Sequence, residues 1–399
     1  MKDLNYTIFL TMSIDLTLVL PCFNEEDNII HLYDEFCQIP FSNTVPELIL
    51  VNNGSYDKTE KKIDDLIKLN KSKNNNIELK KITLKNNEGY GGVQAPVVTT
   101  AEGKGAISDH HPLSLGALWL RNDTIARKEF GHDVILAVGT RLVTSQWLDG
   151  QKVVQIDIDP EEIGRGYENT MRVEGDAKMT MENLLTALAA KTSAKEDNSA
   201  AINAQKTQRD NDIIKVEPQK ELLEAVRKGM PEDGILISGM TQLGYYSRAH
   251  FPVYEPRTFI TSSYSGNLGY AYPTALGAKV AQPDKAVVCL SGDGGFMFNS
   301  QEMSTAVAHN INVVVVVFND NAYGNVKRDQ MNQFSGRTIG VELHNPDFVK
   351  LAEAYGAVGF VANGPDELEA TLKKALTLDS PVLIEVPVGP MPSPFFKNP

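Results

Sequence analysis

The sequence predicts an α/β chain of doubly wound, parallel-sheet domains, and three observations carry that prediction. Short apolar runs alternate with amphipathic helical patterns along most of the 399 residues, the order that implies parallel strands joined through helices. Val313 to Val317 are five successive valines with no polar alternation, as expected of a central strand buried on both faces. Asp293 and Asp320 each close an apolar run, at the strand end where open parallel sheets gather ligands.

Taken in order, "LTLVLP" is a short apolar run, and Ile14 to Pro21 is predicted as the first strand. "NEEDNIIHLYDEF" follows as a helix, with Asn24 as N-cap and acids in its first turn. "ELILVNNGS" is a strand entering a turn, "KTEKKIDDLIKLN" an amphipathic helix and "IELKKITL" a third strand. After Val93 the Lys/Asn-rich texture gives way to alanine, valine and glycine. "PVVTT", "DVILAVGT" and "KVVQIDIDP" read as strands and "MENLLTALAA" as a helix. Lys191 to Asp212 is polar and poor in aromatics, an inter-domain linker with room for some helix. From Ile213 a complete α/β domain follows, with strands "GILIS", "AVVCLSG", "NVVVVVFND", "GAVGFVA" and "PVLIEVPV". The domains are therefore expected over 1–92, 93–190 and 213–399, with 191–212 as the linker.

The bulk numbers narrow the function. A net charge of −13 argues against nucleic acid, which needs a basic surface or stripe; the lysines of 58–85 are interleaved with asparagines and acids and read as a solvated face. Three cysteines with no CxxC pattern give no disulfide frame or zinc site and suit a reducing cytoplasm. Asp3 and Asp15 interrupt the N-terminal apolar stretch, which argues against a targeting segment. No run approaches the roughly 20 apolar residues that a membrane helix needs.

The chemistry concentrates in "CLSGDGGFMFNSQEMSTAVAHNINVVVVVFNDNAYG". Asp293 and Asp320 are separated by 26 residues holding one helix, so a right-handed crossover brings both to one sheet edge. Two carboxylates there suit Mg²⁺, which prefers oxygen ligands and shares them with phosphates. Gly292, Gly294 and Gly295 remove side chains where a phosphate would approach, and a helix starting near Asn299 would add its N-terminal dipole. A GDG alone is often a turn, and an aspartate after a strand is often a cap. Their combination with a buried valine strand is the specific signal.

"GDGGF" through "FNDNAYG" resembles the thiamine diphosphate motif, which begins GDG and ends in an Asn-Asn pair. "GNLGYAYPTALGAKVAQPDKAVVCLSGDGGF", "NPDFVKLAEAYGAVGF" and "SPVLIEVPVGPMPSP" are similar to the acetolactate synthase and benzoylformate decarboxylase group. "PVVTTAEGKGAISDHHPLSLG", "DVILAVGTRL" and "VVQIDIDPEEIGR" resemble its middle domain, so the resemblance spans Val93 to Pro399. It implies Mg²⁺ on Asp293, Asp320 and the backbone carbonyl of Ala322, with Asp320 where the family more often has asparagine. It places Gly292, Gly294, Gly295, Tyr323, Gly324 and Asn325 along the diphosphate, with Gly239, Met240, Thr241 and Gly266 opposite. Leu268 matches the apolar residue that bends the cofactor, although an ordinary core leucine would read the same. The resemblance implies a 2-oxo acid substrate and a dimer or tetramer, and leaves FAD open. It also implies a glutamate on a separate pyrimidine domain that activates the cofactor, and nothing before Val93 resembles that domain. Glu102 lies in the wrong segment to replace it, and His110 and His111 read as structural or solvent-facing.

Residues 16–92 resemble the family 2 glycosyltransferases instead, through "LVLPCFNEEDNI", "ELILVNNGSYDKT" and "NNEGYGG". That likeness implies a nucleotide sugar facing Pro21, Asn24, Glu25 and Asn53, with Asn52 where many members carry aspartate. The DxD metal site and catalytic base of that family come after the third strand, where this sequence has already become "VQAPVVTT". Three readings follow: a thiamine diphosphate and Mg²⁺ protein acting on a 2-oxo acid, alone or with a partner chain supplying the pyrimidine domain; a nucleotide-sugar transferase; and a non-catalytic fusion of two gene fragments. The first has the most complete set of parts.

Overall fold

The computed structural model describes residues 9–11, 14–22, 30, 33–34, 46–53, 59–73, 78–84, 95–117, 134–142, 152–189, 199–212, 216–262 and 265–394. By its contacts the chain divides into two units, 1–94 with 178–196, and 95–177 with 197–399.

In the first unit, strands β2 (Ile14–Cys22), β3 (Pro46–Asn53) and β4 (Glu78–Leu84) pair in parallel. The expected first strand is the second, because β1 (Phe9–Thr11) precedes it and pairs antiparallel. Helix α1 (Thr59–Lys73) buries Ile63, Leu66 and Asn70, positions three and four residues apart on one face. The buried Asn70 amide is satisfied by the Tyr33 hydroxyl, which donates to its Oδ1 at 2.7 Å. Of the helix expected over 24–36, Ile30, Tyr33 and Asp34 are described, and they are helical.

The second unit opens with the parallel pair β5 (Val97–Thr99) and β6 (Ser114–Ala117). A three-stranded parallel sheet follows, of β7 (Val134–Val138), β8 (Lys152–Asp157) and β9 (Thr170–Glu174). Next along the chain comes helix α2 (Ala177–Ala189), which beyond its first residue belongs to the first unit. The predicted linker contains helix α3 (Ser199–Asp212). Among its polar residues Ile202 is buried with Leu113 and Leu115, and Lys206 Nζ donates to the Asp109 carbonyl at 3.0 Å. Among the described side chains, one apolar residue and one long polar one seat a helix whose composition reads as a linker.

The C-terminal domain is a six-stranded parallel sheet. Its strands are β10 (Ile235–Ser238), β11 (Phe259–Thr261), β12 (Val287–Gly292), β13 (Val314–Asn319), β14 (Val358–Val361) and β15 (Val382–Pro387). They lie in the order β11, β10, β12, β13, β15, β14. The valine run shows why this sheet is covered on both sides. Val314, Val316 and Phe318 enter one apolar core, and Val313, Val315 and Val317 enter the other. The first core is closed by α4 (Gln219–Gly229), α5 (Gln242–His250) and α11 (Pro365–Ala375). The second is closed by α6 (Ala271–Ala281), α7 (Asp293–Met297), α8 (Glu302–Ala308) and α10 (Phe348–Tyr355). This is the doubly wound arrangement that the sequence predicts. The helix expected near Asn299 divides differently: a short turn of helix begins at Asp293 itself, and α8 begins at Glu302.

Candidate functional site

The strand order fixes where a ligand can sit. Chain leaving β10 returns in β11 on one side, while chain leaving the adjacent β12 returns in β13 on the other. The two connections diverge and open a crevice at the carboxyl ends of β10 and β12, the topological switch point of such a sheet. A cleft holding about 780 Å³ of space, open solvent at its mouth included, lies there.

The cleft is lined by Met240, Thr241, Gly266, Leu268, Gly292, Asp293, Gly294, Gly295, Asp320, Ala322, Tyr323, Gly324 and Asn325. Every site residue that the thiamine diphosphate resemblance implied is therefore on its wall except Gly239. Gly239 is a packing position: a Cβ there would stand 2.6 Å from the Leu290 carbonyl oxygen, and its N–H donates to that oxygen at 2.9 Å. Leu268 is 37% exposed on the cleft wall, so it is not an ordinary core leucine. Gly266 has φ +62°, a left-handed conformation that glycine adopts without strain.

Asp293 is 2% exposed. Burial raises its carboxyl above the ordinary aspartate value, while the N–H groups of Gly294 and Ala322 and the Asn345 amide pull it back down. Asp320, at the end of β13, is pushed up to about 6, first by burial and then by the charge of Asp293. The Ala322 N–H donates to Asp320 Oδ1 at 3.2 Å, so one backbone amide serves both carboxylates. Among the described residues no lysine, arginine or histidine pairs with either carboxylate; nearby Lys327 is 2.7 Å from Glu342 instead. One buried and one partly buried carboxylate that repel one another, with no described cation in salt-bridge contact and only the weak pull of Lys327 on Asp320, form a donor set that a divalent ion would complete. No group of three or more His, Cys, Asp or Glu side chains comes together among the described residues, so further ligands would come from backbone, water or phosphate.

Backbone geometry keeps one such ligand available. Ala322 bridges Glu342, but the paired groups are the Tyr323 N–H with the Val341 carbonyl and the Leu343 N–H with the Asn321 carbonyl, each at 2.8 Å. The Ala322 carbonyl stays outside that pairing. The glycines hold the cleft open by close approach. A Cβ on Gly294 would lie 2.5 Å from the Tyr323 ring, and one on Gly324 would lie 2.3 Å from Asp320 Oδ2.

Sequence reading missed Gln242, Tyr245, Phe318, Val326, Val388 and Met391 on the cleft wall. It also missed the groups behind the wall. Arg328 donates to Gln242 Oε1 at 2.8 Å, to the Met391 carbonyl at 3.3 Å and to Asn325 Oδ1, tying three wall segments together. No local pattern marks these residues, because their partners lie up to 86 positions away. His110 stacks on Tyr254 with ring centroids 3.9 Å apart, and His111 Nδ1 accepts from the Leu113 N–H, so both have structural contacts. Of the residues that the glycosyltransferase likeness pointed to, Pro21 lies in β2, and Asn52 and Asn53 end β3; Asn24 and Glu25 lie outside the described residues.

Comparison with known proteins finds matches along most of the chain. Residues 239–386 match the C-terminal TPP binding domain of thiamine pyrophosphate enzymes, and 91–184 match their central domain. Residues 17–104 match glycosyl transferase family 2. The probable acetolactate synthase large subunit of Methanococcus aeolicus is 33% identical over 321 residues, covering 74% of this chain and 54% of that protein. The acetolactate synthase isozyme 3 large subunit of Escherichia coli is 33% identical over 300 residues, covering 70% and 52%. A thiamine diphosphate-dependent 4-hydroxybenzoylformate decarboxylase from Rhodococcus jostii RHA1 has a similar structure, with a TM-score of 0.61, 25% identity, and coverage of 75% of this chain and 57% of that one. The chain thus spans about half the length of the relatives it matches. Through these central and C-terminal domains the chain belongs to the thiamine pyrophosphate enzymes, with a glycosyl transferase family 2 segment ahead of them.

Proposed function

We propose that the chain binds thiamine diphosphate through Mg²⁺ and serves the decarboxylation or carboligation of a 2-oxo acid. The observation that carries this reading is the mutually repelling pair Asp293 and Asp320, with no salt-bridge partner among the described residues, at the switch-point crevice inside a cleft cleared by glycines. Asp293, Asp320 and the Ala322 carbonyl would hold the metal. Met240 and Thr241, the loop at 292–295 and the segment Tyr323 to Asn325 would cradle the diphosphate, and Leu268 would give an apolar shoulder to the rest of the cofactor. The bound cofactor supplies an electron sink for the bond next to the keto group of the substrate. Gln242, Tyr245, Val388 and Met391 shape the remaining space.

The family likeness also calls for an activating glutamate on a pyrimidine domain, and none of the residues matched to the thiamine enzymes supplies it. We take that domain to come from a different partner chain, whether or not this chain also forms a homo-oligomer, so that this chain alone turns over poorly. The cleft mouth suits such a partner. Helix α9 (Gly324–Gln333) has no buried residue, and Val326, Met331, Phe334 and Ile339 are 50%, 50%, 52% and 84% exposed, an apolar surface of the kind that marks an interaction site. The setting we propose is cytoplasmic, in keeping with the three cysteines and the absence of CxxC; no described helix is long and apolar enough to cross a membrane.

Titration of the purified protein with thiamine diphosphate tests the binding claim. Saturable binding with Mg²⁺ and none in EDTA is expected; metal-independent binding, or none at all, contradicts it. Rapid conversion of pyruvate by the isolated chain would refute the claim about the glutamate. A second reading, a non-catalytic fusion of two gene fragments, is supported by the overlap of the two families' matches over 91–104. Sequencing the genomic locus across codons 86 to 105 tests it: an uninterrupted frame in independent isolates argues for a natural junction, and two separate frames argue against one.

A further inference from the structure

We propose that Asn345 is a positioning residue for the metal carboxylate of Asp293, set in place by a hydrogen-bonded chain that begins at Glu385. The inference rests on the Mg²⁺ reading above and adds a residue outside the cleft wall. Asn345 lies 52 positions from Asp293, on the segment entering α10, and its Nδ2 donates to Asp293 Oδ2 at 2.6 Å. The same amide nitrogen donates to Asn319 Oδ1 at 2.9 Å, with Asn321 Oδ1 farther off at 3.4 Å. Its two N–H groups are thus used by the two shorter contacts.

The direction of this chain follows from charge. Asn319 Nδ2 donates to Glu385 Oε1 at 2.7 Å, and turning the Asn319 amide over would set its oxygen against that carboxylate. Asn319 Oδ1 therefore faces Asn345 as an acceptor, and Asn345 must present its nitrogen. Turning Asn345 over would place its own oxygen against both Asn319 Oδ1 and Asp293 Oδ2. Glu385 on β15 thereby fixes Asn319 at the end of β13, which fixes Asn345, which pins the carboxylate after β12. The segment carrying Asn345 is itself anchored, because Asp347 caps α10 by accepting from the Lys350 N–H at 3.1 Å. A carboxylate already held in one rotation loses less freedom when a cation binds, and hydrogen-bond partners of metal ligands are typically worth about 10- to 100-fold in metal affinity.

The test is a Mg²⁺ titration of the full chain at saturating thiamine diphosphate, followed by calorimetry, for wild type, Asn345→Ala and Asn345→Leu. Leucine keeps the volume of asparagine and removes the donor, so a space-filling role predicts wild-type affinity for N345L. We expect N345A and N345L alike to lose about 10- to 100-fold in Mg²⁺ affinity, with circular dichroism showing the metal-free N345L protein folded. N345L binding within about threefold of wild type, well below that range, overturns the proposal and leaves the Mg²⁺ reading intact. Wild type that fails to bind the cofactor with Mg²⁺ overturns that reading itself, and is read from the wild-type arm alone.

Discussion

Leu290 on β12 and Leu136 on β7 both lie inside parallel strands of similar composition, yet Leu290 is fully buried and Leu136 is 39% exposed. The difference belongs to the sheets. In the C-terminal sheet alternate residues of β13 enter two separate cores. In the three-stranded sheet one face buries Ala137 and Val153 with Leu142. The other carries a row in register, Leu136 beside Val154 beside Met171, in which Met171 is 66% exposed. An apolar strand therefore does not tell how many of its faces are covered. That depends on which elements reach it: helices close both sides of the C-terminal sheet, while the face carrying Leu136 and Met171 is covered at Ile156 and left exposed at those two residues. The closed sheet is also the one that carries the cleft, so its rigidity is available to hold the carboxylates in place.

Four expectations can break or sharpen this contrast. The largest effect is for Leu290→Ala, which should cost about 2–5 kcal/mol, read as a shift in the urea midpoint; a loss below about 1 kcal/mol, outside the range for closed cores, would show that the core relaxes freely. Gly324→Ala comes next. Its Cβ would stand 2.3 Å from Asp320 Oδ2, and displacing that carboxylate should lower Mg²⁺ affinity by roughly tenfold or more, with unchanged affinity contradicting the placement of Asp320.

The third is a pH effect. The Asp320 carboxyl sits at about 6, above its unfolded value, so the metal-free native state holds a proton that the unfolded chain gives up. The resulting destabilisation is fully present above pH 6 and fades as pH falls toward the unfolded value. The metal-free protein should thus gain stability between pH 7 and 5, while Mg²⁺, which competes with that proton, should bind more weakly below pH 6. Parallel unfolding and Mg²⁺ titrations at several pH values would show it, and an affinity that is flat across pH 6 would count against it. The smallest effect is for Leu136→Ala, expected to stay within about 0.5 kcal/mol because the side chain is exposed. A cost comparable to that of Leu290→Ala would mean that the face is covered after all.

The same contrast explains what the sequence could reveal. The valine run announced a doubly covered strand because polar alternation is absent, and the two aspartates announced the cleft because each ends such a run. Strand β11 is three residues long, and β9 carries arginine and glutamate, so neither stands out as an apolar run. Helix α3 is seated by Ile202 alone among its described buried residues, too little for periodicity to register. Asn345, Arg328 and Gln242 act through partners far away in the chain, which only the folded arrangement brings together. The glycines and aspartates that follow β12 and β13 were legible, while Phe318 and Val388 on the wall and the residues that support it from behind were not.

The central claim is that Asp293 and Asp320 bind the cofactor through a metal. Its most direct test is thiamine diphosphate binding in saturating Mg²⁺ by wild type and Asp293→Ala, with circular dichroism showing both folded. The account predicts saturable binding by the wild type and none by the variant. Equal binding by the two would contradict it.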